Sequence, residues 1–94
     1  MGNNNQEEII LQEIEKLGPF FVDDLDMTTA VISKIKQVIM LVANSEQISF
    51  SEAYQNVKSS PVYSLLTDDY MEALYSNVGD IFDAYKELEN RKHK

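Results

Sequence analysis

The stretch Ala30–Ala43, AVISKIKQVIMLVA, constrains the fold more than any other part of this chain. Ten of its fourteen residues are apolar. At about 100° per residue, Val31, Ile32, Ile35, Val38, Ile39 and Val42 fall on one wide face, with Thr28 in the same arc. Lys34 and Lys36 flank that face, and Ser33 and Gln37 lie opposite. Met40 and Leu41 fall off the stripe. A helix apolar on more than one side is covered on more than one side. The stretch therefore reads as a central helix with neighbours packed around it. It is too short to span a bilayer and carries two lysines.

A chain of 94 residues is expected to form one domain. At that size roughly 60–65% of the unfolded surface is buried on folding, enough for one modest core. Cysteine is absent, which excludes a disulfide framework, a thiol nucleophile and a cysteine zinc site. The opening MGNNNQEE is polar and acidic, unlike a secretory signal. Gln6 stands where a myristoylation motif wants Ser or Thr. The expectation is a cytoplasmic protein with no membrane association, no cofactor and no metal.

The net charge of −8 is uneven: −6 over residues 1–26, +1 over 27–59 and −3 over 60–94. An acidic chain repels phosphate backbones, so direct nucleic-acid binding is disfavoured. Acidic balance is also an ordinary route to solubility.

Residues 1–5 read as a disordered start, 6–90 as a single helical domain and 91–94 as a basic tail. Asn5 is the expected N-cap of a first helix over Gln6–Leu17, with Glu8 at N3. Gly18 supplies a left-handed stop and Pro19 prevents continuation. Phe20-Phe21-Val22 then reads as a core plug, or alternatively as an exposed aromatic patch. Asp23, Asp24 and Asp26 read as acids that start the central helix. Asn44 is the expected residue just past its end. Ser49 and Glu52 form a capping box for a helix over Phe50–Lys58, with Ile48 at N′. Ser60 caps a further short helix with Pro61 at N1. Thr67 or Asp68 then caps one long amphipathic helix over Asp68–Asn90. Met71, Leu74, Val78, Ile81, Tyr85 and Leu88 form its heptad face, with Tyr75 and Phe82 beside them. Gly79 is its weak point, read as helical. No strand-like alternation and no internal repeat is visible. The whole reads as all-α, a small bundle of four to five helices around the central apolar helix.

Candidates for chemistry are few. Asp23/Asp24 and Asp68/Asp69 are adjacent carboxylates at helix starts, where they cap rather than face each other across a cleft. His93 stands beside the C-terminus among basic residues, and Ser59-Ser60 has no internal histidine to activate it. Gly2, Gly18 and Gly79 cannot make a phosphate-cradling loop. All five tyrosines fall in the second half, read mostly as core or core-rim residues with hydroxyls reaching water, or alternatively as an aromatic contact surface.

The run Ile48-Ser49-Phe50-Ser51-Glu52-Ala53-Tyr54, then Ser60-Pro61-Val62-Tyr63-Ser64-Leu65-Leu66, then the aromatic-rich Tyr70–Leu88, resembles a group of short bacterial proteins, mostly from Gram-positive organisms, classed as domains of unknown function. Asp69-Tyr70 and Tyr75 match one such group. The Leu-His-Thr-Gln that tends to follow there is missing from this chain. The resemblance implies a small helical bacterial domain and transfers no catalytic residue.

The sequence points to a non-enzymatic protein-interaction module, such as an antitoxin, immunity or regulatory partner of another protein. The expected contact surface is an aromatic anchor, Phe20 and Phe21, rimmed by Asp23, Asp24 and Asp26. The alternatives are an acidic DNA-mimic inhibitor from a phage or mobile element, which needs rows of carboxylates on one face, and a small-ligand binder or enzyme with a deep pocket.

Overall fold

The computed structural model describes residues 2–92. Among them are six helices and one short hairpin: α1 (Gly2–Glu15), β1 (Phe21–Val22), β2 (Leu25–Asp26), α2 (Thr28–Glu46), α3 (Phe50–Lys58), α4 (Pro61–Thr67), α5 (Tyr70–Tyr75) and α6 (Val78–Lys92). The chain is all-α apart from the hairpin. It extends 42 × 34 × 18 Å, and the short dimension corresponds to about two helix layers.

α2 touches each of the other five helices. It buries Val31, Ile35, Val38, Ile39 and Val42, spaced at three and four residues along one stripe. Ile10 and Ile14 come to this core from α1, Ala53, Tyr54 and Val57 from α3, Val62 and Leu66 from α4, Ala73 from α5, and Ile81 and Tyr85 from α6. Met40, off the stripe, is exposed.

Helix starts at α3 and α4 follow from their caps. Ser49 Oγ accepts from the Glu52 N–H at 3.1 Å, and the Glu52 carboxylate accepts from the Ser49 hydroxyl at 3.3 Å. Ser60 Oγ accepts from the Val62 N–H at 3.3 Å, and Pro61 takes the first helical position, where its missing N–H leaves no gap. Thr67 closes α4 instead of capping α5: its hydroxyl donates back to the Tyr63 carbonyl at 2.8 Å. Asp69 is the N-cap of α5.

The structure departs from the sequence reading at several boundaries. α1 includes Asn5, so that residue is inside the helix, and residues 2–5 belong to its first turn where a disordered start was expected. Adding one more turn to an established helix costs far less than starting one. At the other end the helix tightens, with Leu17 N–H on the Ile14 carbonyl and Gly18 N–H on that of Glu15, and Gly18 is not left-handed. Its lack of a side chain serves packing instead: a Cβ there would meet the Phe20 ring at 3.1 Å. The Gly18–Pro19 peptide is cis. α2 runs past Asn44 to Glu46, and Gln47 provides the left-handed residue, with φ 55° and its N–H on the Ala43 carbonyl.

Two departures matter more. Phe21–Asp26 is an antiparallel hairpin, Phe21 opposite Asp26 and Val22 opposite Leu25. Strands of two residues are too short for alternation to show in a sequence. The long C-terminal helix is also two helices, separated at Ser76–Asn77. Ser76 is extended, with ψ 150°. Asn77 starts α6: its Oδ1 accepts from the Gly79 N–H at 2.7 Å, and its carbonyl accepts from the Asp80 and Ile81 N–H groups. Gly79 is helical, and the break lies before it. His93 and Lys94 of the basic tail lie outside the described residues.

Candidate functional site

Phe20, Phe21, Asp23, Asp24 and Asp26 all fall on the hairpin segment, but they do not form one surface. Phe20 is 3% exposed and belongs to the core. Its ring meets Tyr70 edge-to-face, centroids 5.0 Å apart. Its N–H donates to Thr28 Oγ1 at 3.0 Å, and its carbonyl accepts from the Met27 N–H at 2.7 Å. Because Phe20 and Met27 are joined this way, the next pair, Phe21 and Asp26, turns its backbone groups outward. Tyr70 covers one of these edges, its hydroxyl donating to the Phe21 carbonyl at 2.6 Å. Phe21 itself is 47% exposed. Pleating places it on the face opposite Val22.

The three aspartates have separate roles. Asp23 and Asp24 form the two-residue loop of the hairpin, with Asp23 at φ 56°, a conformation that Asp and Asn tolerate better than most residues. They do not start the helix. Asp26 does: its carboxylate accepts from both the Thr28 N–H and the Thr28 hydroxyl. Those bonds, the hydroxyl's first, hold its carboxyl below the ordinary value of 3.8. The expected anchor of two phenylalanines inside an acidic rim is therefore divided, with Phe20 in the core and the carboxylate of Asp26 spent on a helix start.

What the segment builds instead is a groove of about 550 Å³ between the hairpin, α2 and α5. Val22, Leu25 and Met27 form the hairpin wall, Ala30 and the stem of Lys34 the α2 wall, and Leu74 and Tyr75 the α5 wall. Leu25 is 67% exposed and Tyr75 83%. Asp23 stands in the lining as well. The Lys34 ammonium donates to the Ser76 carbonyl at 2.7 Å, which pins the end of α5 to α2. Leu25 does not stand out in the sequence, and Tyr75 reads there as part of a helix face. Leu25 is a lone apolar residue among aspartates, which is a usable signal for an exposed apolar side chain. Tyr75 was hidden by a heptad that assumed an unbroken helix.

A second concavity, of about 380 Å³, is lined by Glu13, Lys16, Leu17, Tyr54, Lys58 and Tyr63. Lys58 lies over the Tyr54 ring at 5.5 Å, and the Tyr54 and Tyr63 rings are 6.4 Å apart. Burial, then the neighbouring Tyr54, pushes the Tyr63 hydroxyl up to about 12, and burial also raises Tyr54. Both hydroxyls are neutral hydrogen-bonding groups near pH 7. Tyr85, whose hydroxyl donates to Glu46 at 3.2 Å, is raised by burial and by the charges of Glu46 and Glu89. Among the described residues no three or more His, Cys, Asp or Glu side chains converge as a metal site. None of the described helices is long and apolar enough to cross a membrane.

No family model, no curated protein and no solved structure matches this chain.

Proposed function

We propose that this chain is a non-enzymatic interaction module, a small bundle organised around α2, that holds another protein in the groove between the hairpin and α5. The observation that carries the reading is that Leu25 and Tyr75, two of the most exposed large apolar side chains, line the same groove. A large apolar side chain left in water is surface that a partner would cover with a gain in free energy, and tyrosine is a frequent interface anchor. The proposed role is that of a regulatory, immunity or antitoxin partner of another protein.

The test is a photo-crosslinking phenylalanine analogue at position 75, expressed in the native host, with the same analogue at the exposed Gln55 on α3 as control. A discrete protein adduct at position 75, absent at position 55 and lost when Leu25→Ser is added, is the expected result. Equal labelling at both positions, or none at position 75, refutes the groove as a partner site.

A further inference from the structure

We infer that the occupant of this groove is a peptide segment of mixed basic and apolar character. One aliphatic or aromatic side chain lies between Leu25 and Tyr75, and a lysine or arginine meets the carboxylates at the hairpin tip. The inference rests on the reading of the groove as a partner site and assigns the partner's chemistry.

The charge around the groove is asymmetric: the hairpin carries three carboxylates and the α2 wall one ammonium. Lys34, the cation of the lining, is tethered to the Ser76 carbonyl. Asp26 is engaged by Thr28. Asp23 in the lining and Asp24 beside it take part in neither ion pair of the described residues, Lys36–Glu7 and Arg91–Glu87. Lys34 keeps its positive charge, so the balance is three hairpin carboxylates, Asp23, Asp24 and Asp26, against one ammonium, and the charge around the groove mouth is negative. The turn does not need it, because asparagine or glycine satisfies the same positive φ at position 23. A cationic flank on the incoming segment neutralises these carboxylates, while an anionic flank meets like charge. A second copy of this chain fits poorly, since each copy brings a net charge of −8.

The experiment uses the full chain and three labelled peptides that share a Leu-Phe centre: one flanked by Lys and Arg, one by Glu and one by Ser. Binding is read by fluorescence anisotropy and by backbone amide shifts. The expected result is that the Lys/Arg peptide binds most tightly and shifts amides of residues 22–27 and 74–76. Asp23→Asn with Asp24→Asn keeps the turn and should weaken that peptide about three- to tenfold, as two exposed pairs would. The same variant should lose most of the salt dependence. Leu25→Ser and, separately, Tyr75→Ser should weaken all binding, with melting unchanged because both side chains are exposed.

Equal binding of the Glu and Lys/Arg peptides, or no effect of the double Asn variant, overturns the assigned charge. Shifts confined to other surfaces overturn the assigned location. Failure of all three peptides, or a dimer in sedimentation that Leu25→Ser dissolves, overturns a peptide occupant. The host cross-link at position 75 decides the groove reading separately in each case.

Discussion

Adjacent phenylalanines with opposite fates offer the sharpest check on this structure. Phe20 is buried against Tyr70 and under Gly18, whereas Phe21 is half exposed on the far face of the hairpin. Removing a fully buried phenylalanine side chain costs about 3–5 kcal/mol. The edge-to-face contact with Tyr70 carries about 0.5–1.5 kcal/mol beyond its area. The hairpin lies at the margin of the core and can collapse partly into the space, which favours the lower end, about 3 kcal/mol. For a domain of this length, 1 kcal/mol moves the melting temperature by about 4–8 °C, so Phe20→Ala should lower it by roughly 12–24 °C. Phe21→Ala removes a side chain that is only half buried, and should cost about 1 kcal/mol at most.

The assay is thermal and urea unfolding followed by far-ultraviolet circular dichroism. Phe20→Leu, which keeps much of the volume and loses the ring edge, provides an intermediate point of about 1–2 kcal/mol if the alanine variant does not fold. A larger loss for Phe21→Ala than for Phe20→Ala would refute the reasoning. It would mean that the strand register is shifted by one residue, since such a shift exchanges every side chain between faces.

Three further outcomes follow from the same packing. Ile35→Ala, at a fully buried position of α2, should cost about 2–5 kcal/mol, and Gln37→Ala, which loses only an exposed bond to Ser33, less than about 0.5 kcal/mol; equal effects in urea unfolding would show that α2 is misphased. Asn77→Ala should cost about 0.5–2 kcal/mol as a lost N-cap, while Gly79→Ala should stay within about 0.5 kcal/mol of neutral, because its helical gain is offset by a Cβ that meets Asn77 Oδ1 at 3.1 Å. In alkali, the unfolded chain deprotonates its tyrosines near 10.0 while folded Tyr63 holds its proton to about 12. Its contribution to stability is therefore complete below pH 10 and is lost as pH rises toward 12. Phenolate absorbance should show a late-titrating fraction that merges with the rest on unfolding, and a single transition at the ordinary tyrosine value would refute this.

Much of the helical framework was legible from local chemistry. The stripe Val31, Ile35, Val38, Ile39 and Val42 is buried because three- and four-residue spacing leaves little choice of face once one side is apolar. Ser49, Ser60 and Pro61 placed the starts of α3 and α4 because capping depends on bonds within a few residues. The heptad through α5 and α6 failed for the complementary reason. Periodicity across Ser76–Asn77 looks continuous from either side, and only the extended Ser76 reveals that the phase is not carried through. Met71 and Tyr75 are consequently exposed, and Ala73 takes the buried position on α5. The hairpin was missed because its pairing is held by contacts made at a distance, chiefly Phe20 with Thr28 and Phe21 with Tyr70.

The two larger departures from the local pattern, the hairpin and the break at Ser76, supply two of the three walls of the groove. An unbroken helix through Tyr75 would have laid that ring beside Leu74 along the bundle. With α5 ended after one and a half turns, its last side chain is free to stand in solvent, and the bond from Lys34 to the Ser76 carbonyl fixes where it stands. On the other wall, continuing Phe20–Asp26 into a helix would have placed Leu25, four residues after Phe21, on a face shared with Ile32. The hairpin instead sets Leu25 across from Val22, and both line the groove with Tyr75. Neither wall gains stability from leaving large apolar side chains exposed. Stability alone is served by Phe20 and the α2 stripe. Local patterns yield to a less regular arrangement at two separate points, both exposing apolar side chains to one space, and it is on this coincidence that the proposed binding groove rests.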